Sequence, residues 1–304
     1  MTEPKIPEML RHEYARSALN LGLELEDKGV GNPYRFGLIG STDSHTSLAT
    51  TREDNYFGKI PVTEPSAERG QHVFFQSPDK NLTILSSEEV ASGLAGVWAR
   101  ENTRESLFDA MNRKEVYATT GSRILVRVFA GYDFQEDDVD RADFAETGYA
   151  GGVPMGGELA NTANGKAPRL IVRALRDPDN ANLDRIQIVK GWLNGDGTTE
   201  ERIYDVACAD DRAIVDRRCE KPVGNTVEGA SYTNNVGDSY LTAFWEDPDF
   251  EPSQPAWYYV RVIEIPKPSW QAYDVARLGA EMPEGATMVV QDRAYTSPIW
   301  YDPR

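Results

Sequence analysis

The chain is poor in the residues from which most metal and thiol chemistry is built: its 304 residues include only three histidines and two cysteines. A centre made of many His or Cys ligands from this chain alone is therefore excluded. Positive charge is also scarce. Lys plus Arg number 32 against 49 Asp plus Glu, a net charge of −17, and no local basic patch offsets it. Such a chain repels phosphate backbones and anionic lipid, which argues against nucleic-acid and membrane-surface partners. No apolar run approaches the roughly 20 residues of a membrane-spanning helix, and residues 1–20 lack the basic start and apolar stretch of a signal peptide. What is present is ordinary for a folded protein, with 40% hydrophobic, 27% charged and 10% aromatic residues.

The chain changes character part-way along. Residues 7–28 read as an amphipathic helix, with Leu10, Tyr14 and Ala18, and Ala15 and Leu19, at spacings of four. Gly29 and Gly31 stop it, and Tyr34 to Gly40 reads as a mostly buried strand ending in a polar loop. Thr50 to about residue 92, with Pro61, Pro65 and Pro78, reads as a long loop. Asn102 and Glu105 resemble a capping pair ahead of a helix to about Arg113, and Val116–Thr120 reads as a strand. From Ile124 onward, short β-branched runs separated by turns predict strands at 124–129, 170–175, 185–189, 203–206, 240–245, 257–265, 287–290 and 294–301, with a short helix near 272–278. Asn194-Gly195-Asp196-Gly197 reads as a hairpin turn. The expected class is α/β plus β, with one domain over 1–122 and a β-sandwich-like domain over 123–304.

Asp43-Ser44-His45 is the sharpest local signal. A carboxylate and an imidazole two residues apart, in a loop after a buried strand, can converge on a divalent cation such as zinc, manganese or iron. The plainer reading is a turn, since Asp and Ser bond readily to nearby backbone.

Gly40-Ser41-Thr42-Asp43-Ser44-His45-Thr46 is followed by Glu53-Asp54-Asn55-Tyr56-Phe57-Gly58-Lys59, Gly96-Val97-Trp98-Ala99-Arg100-Glu101-Asn102-Thr103-Arg104-Glu105, Val153-Pro154-Met155-Gly156-Gly157, Gln187-Ile188-Val189-Lys190-Gly191-Trp192, Trp245-Glu246-Asp247-Pro248-Asp249-Phe250 and Arg293-Ala294-Tyr295-Thr296-Ser297-Pro298-Ile299-Trp300-Tyr301. This series resembles a family catalogued as domain of unknown function three-six-zero-four, related to the polymerase-and-histidinol-phosphatase, or PHP, metallohydrolases. The resemblance covers almost the whole chain. It implies a distorted β/α barrel holding two or three divalent cations, typically manganese, zinc or iron, that activate water for attack on a phosphoester or related ester. The PHP motif Asp-x-His falls on Asp43 and His45, which the resemblance makes metal ligands. That superfamily also opens with a His-x-His motif, and nothing before residue 40 supplies one; His12 lies on the first expected helix. The chain therefore resembles the C-terminal half of the family, with the β domain packed on the last part of the barrel.

A hydrolytic cation needs about three protein ligands and an open position for water. His72 in the long loop is a candidate third ligand, against a plainer reading as a surface or packing residue. Glu53 and Asp54 are candidates for ligating a metal or orienting His45, or else form a solvated acidic turn. Arg52 and Lys59 are candidates for contacting substrate phosphoryl oxygens, or are simply exposed loop cations. Cys208 and Cys219 have no nearby His to activate a thiolate, so a disulfide stapling that polar loop is preferred over two reduced thiols. A disulfide would suit a periplasmic or secreted parent protein. The acidic clusters at 136–140, 177–180 and 247–249 read as turns, not calcium loops.

The sequence thus leads to a metal-dependent hydrolase of small-molecule esters. Asp43 and His45 would complete a site whose other ligands come from a homo-oligomeric copy or a complementing N-terminal half. The rival reading is a non-catalytic β-rich binding module that uses aromatics such as Trp257, Tyr259 and Trp300.

Overall fold

The computed structural model describes residues 4–10, 12–91, 93–161 and 165–303. The expected helix over 7–28 is two pieces, α1 (Pro7–Leu10) and α2 (Ala15–Asp27). Tyr14 stands between them with extended backbone. Further helices are α3 (Arg104–Asn112), α4 (Phe144–Gly151) and α5 (Trp270–Leu278). The cap of α3 is Thr103, whose hydroxyl accepts from the Ser106 amide, one residue later than the expected Asn102.

Twelve strands build the two principal sheets. They are β1 (Leu94–Val97), β2 (Val116–Thr119), β3 (Leu125–Gly131), β4 (Gly152–Pro154), β5 (Glu158–Ala160), β6 (Arg169–Leu175), β7 (Leu183–Leu193), β8 (Thr199–Cys208), β9 (Tyr240–Glu246), β10 (Ala256–Glu264), β11 (Arg293–Thr296) and β12 (Ile299–Asp302). Sheet one runs β8-β7-β10-β11-β2-β1. β12 also pairs with β10, and β5 lies parallel alongside β12. Sheet two runs β9-β6-β3-β4. The expected single strand over 294–301 is split at Ser297-Pro298, where proline has no amide hydrogen for the ladder.

Alternation along these strands makes the fold a two-layer one. Val126, Val128, Leu170, Val172 and Leu241 of sheet two meet Ile186, Ile188, Tyr258, Val260, Val262 and Ala294 of sheet one in one core. The opposite residues of sheet one, Val189, Leu193, Trp257 and Tyr259, receive Leu19 and Leu23 of α2. On the far side of sheet two, Phe129 and Ile171 are covered by Phe134, Val139 and Phe144. The β-rich second part is therefore as expected. Among the described residues there is no closed barrel over 1–122. That segment supplies α1 to α3, a hairpin (Val73–Gln76 with Thr83–Leu85) and the edge strands of sheet one. The expected boundary at 122 lies inside this connectivity, since β2 pairs with β11 in register Ala294↔Thr119.

Residues 34–40 form no strand. They are tied to sheet one by the Gly40 amide, which donates to the Leu94 carbonyl (3.1 Å), and the Leu38 amide, which donates to Ser297 Oγ (2.9 Å); next to them the Gly93 amide donates to the Ser41 carbonyl (2.8 Å). Gly40 is required for that approach, because a Cβ there would lie 2.6 Å from the carbonyl oxygens of Leu94 and Thr119.

Cys208 and Cys219 form the expected disulfide. No helix among the described residues is long and apolar enough to cross a membrane.

Two stability outcomes follow. Gly191→Ala places a Cβ 2.3 Å from the Trp257 ring, and overpacking of this kind destabilises by about 1–3 kcal/mol; urea unfolding should show a lowered midpoint, whereas Gly195→Ala, with open space around it, should not. Reduction of Cys208–Cys219 releases an 11-residue separation, a loss of about 3 kcal/mol in the chain-entropy picture. Calorimetry with and without a dithiol reductant reads it as a drop in melting temperature.

Candidate functional site

Residues 40–59 fold back along the rim of a cleft of about 610 Å³, walled by Gly40, Ser41, Lys59, Thr120, Val289 and Asp292 among others. Asp43 sits at a φ of 52°, the left-handed region that Asp tolerates better than most residues. The His45 amide bonds to the Lys59 carbonyl at 2.7 Å, which ties the two sides of the loop together. The Asp43 carboxylate then lies 3.7 Å from His45 Nε2 and 3.6 Å from Lys59 Nζ. Lys59 also donates to the Thr42 carbonyl at 3.3 Å. The pair is open to solvent, with Asp43 and His45 side chains about two-thirds exposed, while Lys59 is largely buried behind them.

The other sequence candidates are held elsewhere. Arg52 forms a two-pronged contact with Asp54, at 2.9 and 2.6 Å, so each occupies the other. His72 is exposed and donates from Nδ1 to the Val62 carbonyl at 2.7 Å, which leaves Nε2 as its free ring nitrogen. Glu53 is buried and accepts the Trp270 amide at 2.6 Å, capping the start of α5 together with Ser269. Among the described residues the one cluster of three metal-binding side chains is Asp205, Cys208 and Cys219, and its sulfurs are committed to the disulfide. A carboxylate oxygen and an imidazole nitrogen suit a borderline divalent cation in kind, but at the Asp43 loop they fall short in number.

Behind the cleft lies a buried charge cluster that the sequence reading missed. Lys267 donates to Glu264 at 3.0 Å, to Asp292 at 2.6 Å and to Asn180 at 2.5 Å. Ser122 donates to the other oxygen of Glu264, and Thr120 to Asp292 at 2.5 Å. Burial disfavours the Glu264 anion and outweighs the attraction of Lys267, raising its pKa to about 7. Lys267 itself is held above its usual range, because the attraction of Asp292 and Glu264 outweighs its own burial. Glu53, which also borders the cleft, is raised to about 7 by burial and by the charge on Asp292. The available signal was a Glu and a Lys three residues apart, separated by Pro266, directly after the apolar run of β10.

The family model described as "Protein of unknown function (DUF3604)" matches residues 1–303, so the chain belongs to that family. No match was found to any curated protein or any solved structure.

The two raised carboxyls fix a pH dependence. A carboxyl with a folded pKa above its unfolded value keeps its proton in the native state while the unfolded chain releases it. Its contribution is full below about pH 4.5 and is lost as pH rises towards about 7. Each group contributes a slope of up to about 1.4 kcal/mol per pH unit in that window. Urea midpoints compared between wild type and Glu264→Gln across pH 4.5–7.5 should converge in slope by one group's share; parallel curves would refute the assignment.

Proposed function

We propose that this member of the DUF3604 family acts in metal-dependent ester hydrolysis of the PHP type. In this reading Asp43 and His45 supply two ligands of a divalent-metal site, and residues outside the described chain supply the rest. The observation that carries it is the convergence of the Asp43 carboxylate and the His45 imidazole on one loop, with Lys59, a largely buried ammonium that lines the neighbouring cleft, beside Asp43. A manganese, zinc or iron ion bound there supplies water activation and offsets charge developing on the ester oxygens.

The chain's own residues have separable parts to play. Asp43 and His45 hold the cation, and the His45–Lys59 backbone bond fixes the spacing of the loop that carries them. Lys59, at 3.6 Å from Asp43, faces that carboxylate and presents a cation to the cleft. Its nearness to the rim makes it the better of the two expected phosphoryl contacts, since Arg52 is already taken by Asp54. The missing ligands come from a second polypeptide segment, either another copy or a complementing N-terminal portion. Ile39, Leu48, Val62 and Val90, all more than half exposed, are apolar surface available for that segment to cover. The disulfide supports placing the parent protein in an oxidising compartment, periplasmic or extracellular.

Electron paramagnetic resonance of added manganese tests the metal assignment without relying on turnover. Saturable, weak binding of one ion per chain is expected, abolished by Asp43→Ala and by His45→Ala and unchanged by His72→Ala. Binding that survives both of the first two variants, or that depends on His72, overturns the ligand assignment.

A further inference from the structure

Helix α2 covers only part of the outer face of sheet one. Its leucines reach Val189, Leu193, Trp257 and Tyr259, and the same face continues beyond them as Gln187, Arg261 and Arg293. The strand registers fix this placement. Arg261 lies opposite Tyr295 and Gln187, and Ile263 lies opposite Arg293, so the two arginines are diagonal neighbours on adjacent strands, at a spacing of roughly 7–8 Å between backbones.

Among the described residues neither arginine meets a carboxylate, in a chain whose net charge is −17. Arg261 donates from Nε to the Gln187 side-chain oxygen at 2.7 Å, and Gln187 in turn donates to Asp205, so the nearest acid on that side is one amide removed. Arg293 Nε is buried without a hydrogen-bond partner. Its sequence neighbour Asp292 is no counter-ion, because Lys267 and Thr120 hold that carboxylate on the other face of the strand. Arg16, the next cation along, is paired with Glu201. Burial lowers the pKa of Arg261 against the opposing help of Tyr259 and Tyr295, and Arg293 and Arg16 press in the same direction as burial by smaller amounts. Two half-buried like charges in this state are destabilising unless an anion joins them. Arg293 also borders the 610 Å³ cleft, which Lys59 lines as well.

We propose that Arg293, at the border of the cleft, and its diagonal neighbour Arg261 form an anion subsite on the outer face of sheet one that takes the tetrahedral oxyanion of the substrate, a phosphate or sulfate group. The proposal deepens the ester-hydrolase reading and rests on it for the natural ligand's being an ester. Two forked guanidiniums can each give paired N–H donors to separate oxygens of one such group, a match that a planar monoanion does not offer. The subsite supplies the positive charge that Arg52, engaged by Asp54, does not. It also sets a substrate preference: esters that carry the oxyanion bind, and neutral carboxylic esters do not.

Isothermal titration of the full chain with inorganic phosphate, with sulfate and with acetate, all in the presence of a chelator, tests the subsite apart from any metal. Phosphate and sulfate should bind, and acetate at least tenfold more weakly. Arg293→Gln and Arg261→Gln should each weaken phosphate binding tenfold or more, Arg293→Lys less so, and Arg104→Gln on the exposed face of α3 not at all. Circular dichroism confirms the fold of each variant. If Arg293→Gln does not fold, Arg261→Gln carries the test. Phosphate that fails to bind wild type, phosphate binding unchanged in both glutamine variants, or acetate binding as tightly as phosphate overturns the proposal. Asp43→Ala separates the two readings: it should remove manganese and leave phosphate binding intact. Lost manganese dependence on Asp43 with phosphate binding retained therefore sinks the metal assignment alone, and the converse sinks the subsite alone.

Discussion

One buried ammonium organises the region where the chain's distant parts meet. Lys267 is almost wholly buried, and an ammonium out of water persists only when acceptors surround it. Its acceptors come from the end of β10 (Glu264), the approach to β11 (Asp292) and the turn between β6 and β7 (Asn180). Through those carboxylates Ser122 and Thr120 are fixed as well, and they flank the passage from β2 to β3. Two residues beyond Lys267, Ser269 opens α5, and the first amide of α5 is capped by Glu53 from the candidate loop. The position of residues 41–59 is thus referenced through one helix end to a single cation. Burial, with the charge on Asp292 adding to it, raises two carboxyls of this region, Glu53 and Glu264, to about 7.

The β-rich part of this fold was legible because its strands alternate cleanly. Ile186, Ile188 and Val260, Val262 declare one face, and the glycine-rich turn after Leu193 joins β7 to β8. The disulfide followed from two cysteines in a polar stretch with no imidazole to serve. Residues 34–40 misled, since an apolar run reads alike whether or not a neighbouring strand pairs with it, and here its ties to the sheet are the single bonds from Gly40 to the Leu94 carbonyl and from Leu38 to Ser297 Oγ. The capping roles of Glu53 and Ser122 were illegible for a different reason: each acts on a residue more than 140 positions away. Asp43 and His45 adjoin one another as their spacing suggested, because only one residue separates them. His72 goes its own way because 26 intervening residues place it on a different turn of the loop, against Val62.

Charge in this molecule is arranged by pairing more than by patches. Arg69, the most buried arginine, is locked between Asp274 and the rings of Tyr56 and Trp270. Lys190 is likewise buried against Asp247 inside the sandwich. Against that background, Arg261 and Arg293 depart from the rule, and Arg293 does so at the border of the cleft that Lys59 also lines.

The pairing of β2 with β11 also has a temporal consequence. Thr119 and Ala294 lie directly opposite one another in a sheet that neither segment completes alone. During synthesis, β1 and β2 can pair with each other, but β2 emerges long before β11 exists, so its other edge remains without a ladder partner while most of the chain is being made. Contacts of such long sequence separation form late and slowly. The ribosome must therefore finish nearly all of this chain before the cleft acquires a floor, and until then its apolar loop residues depend on chaperones or on rapid synthesis to stay free of wrong partners.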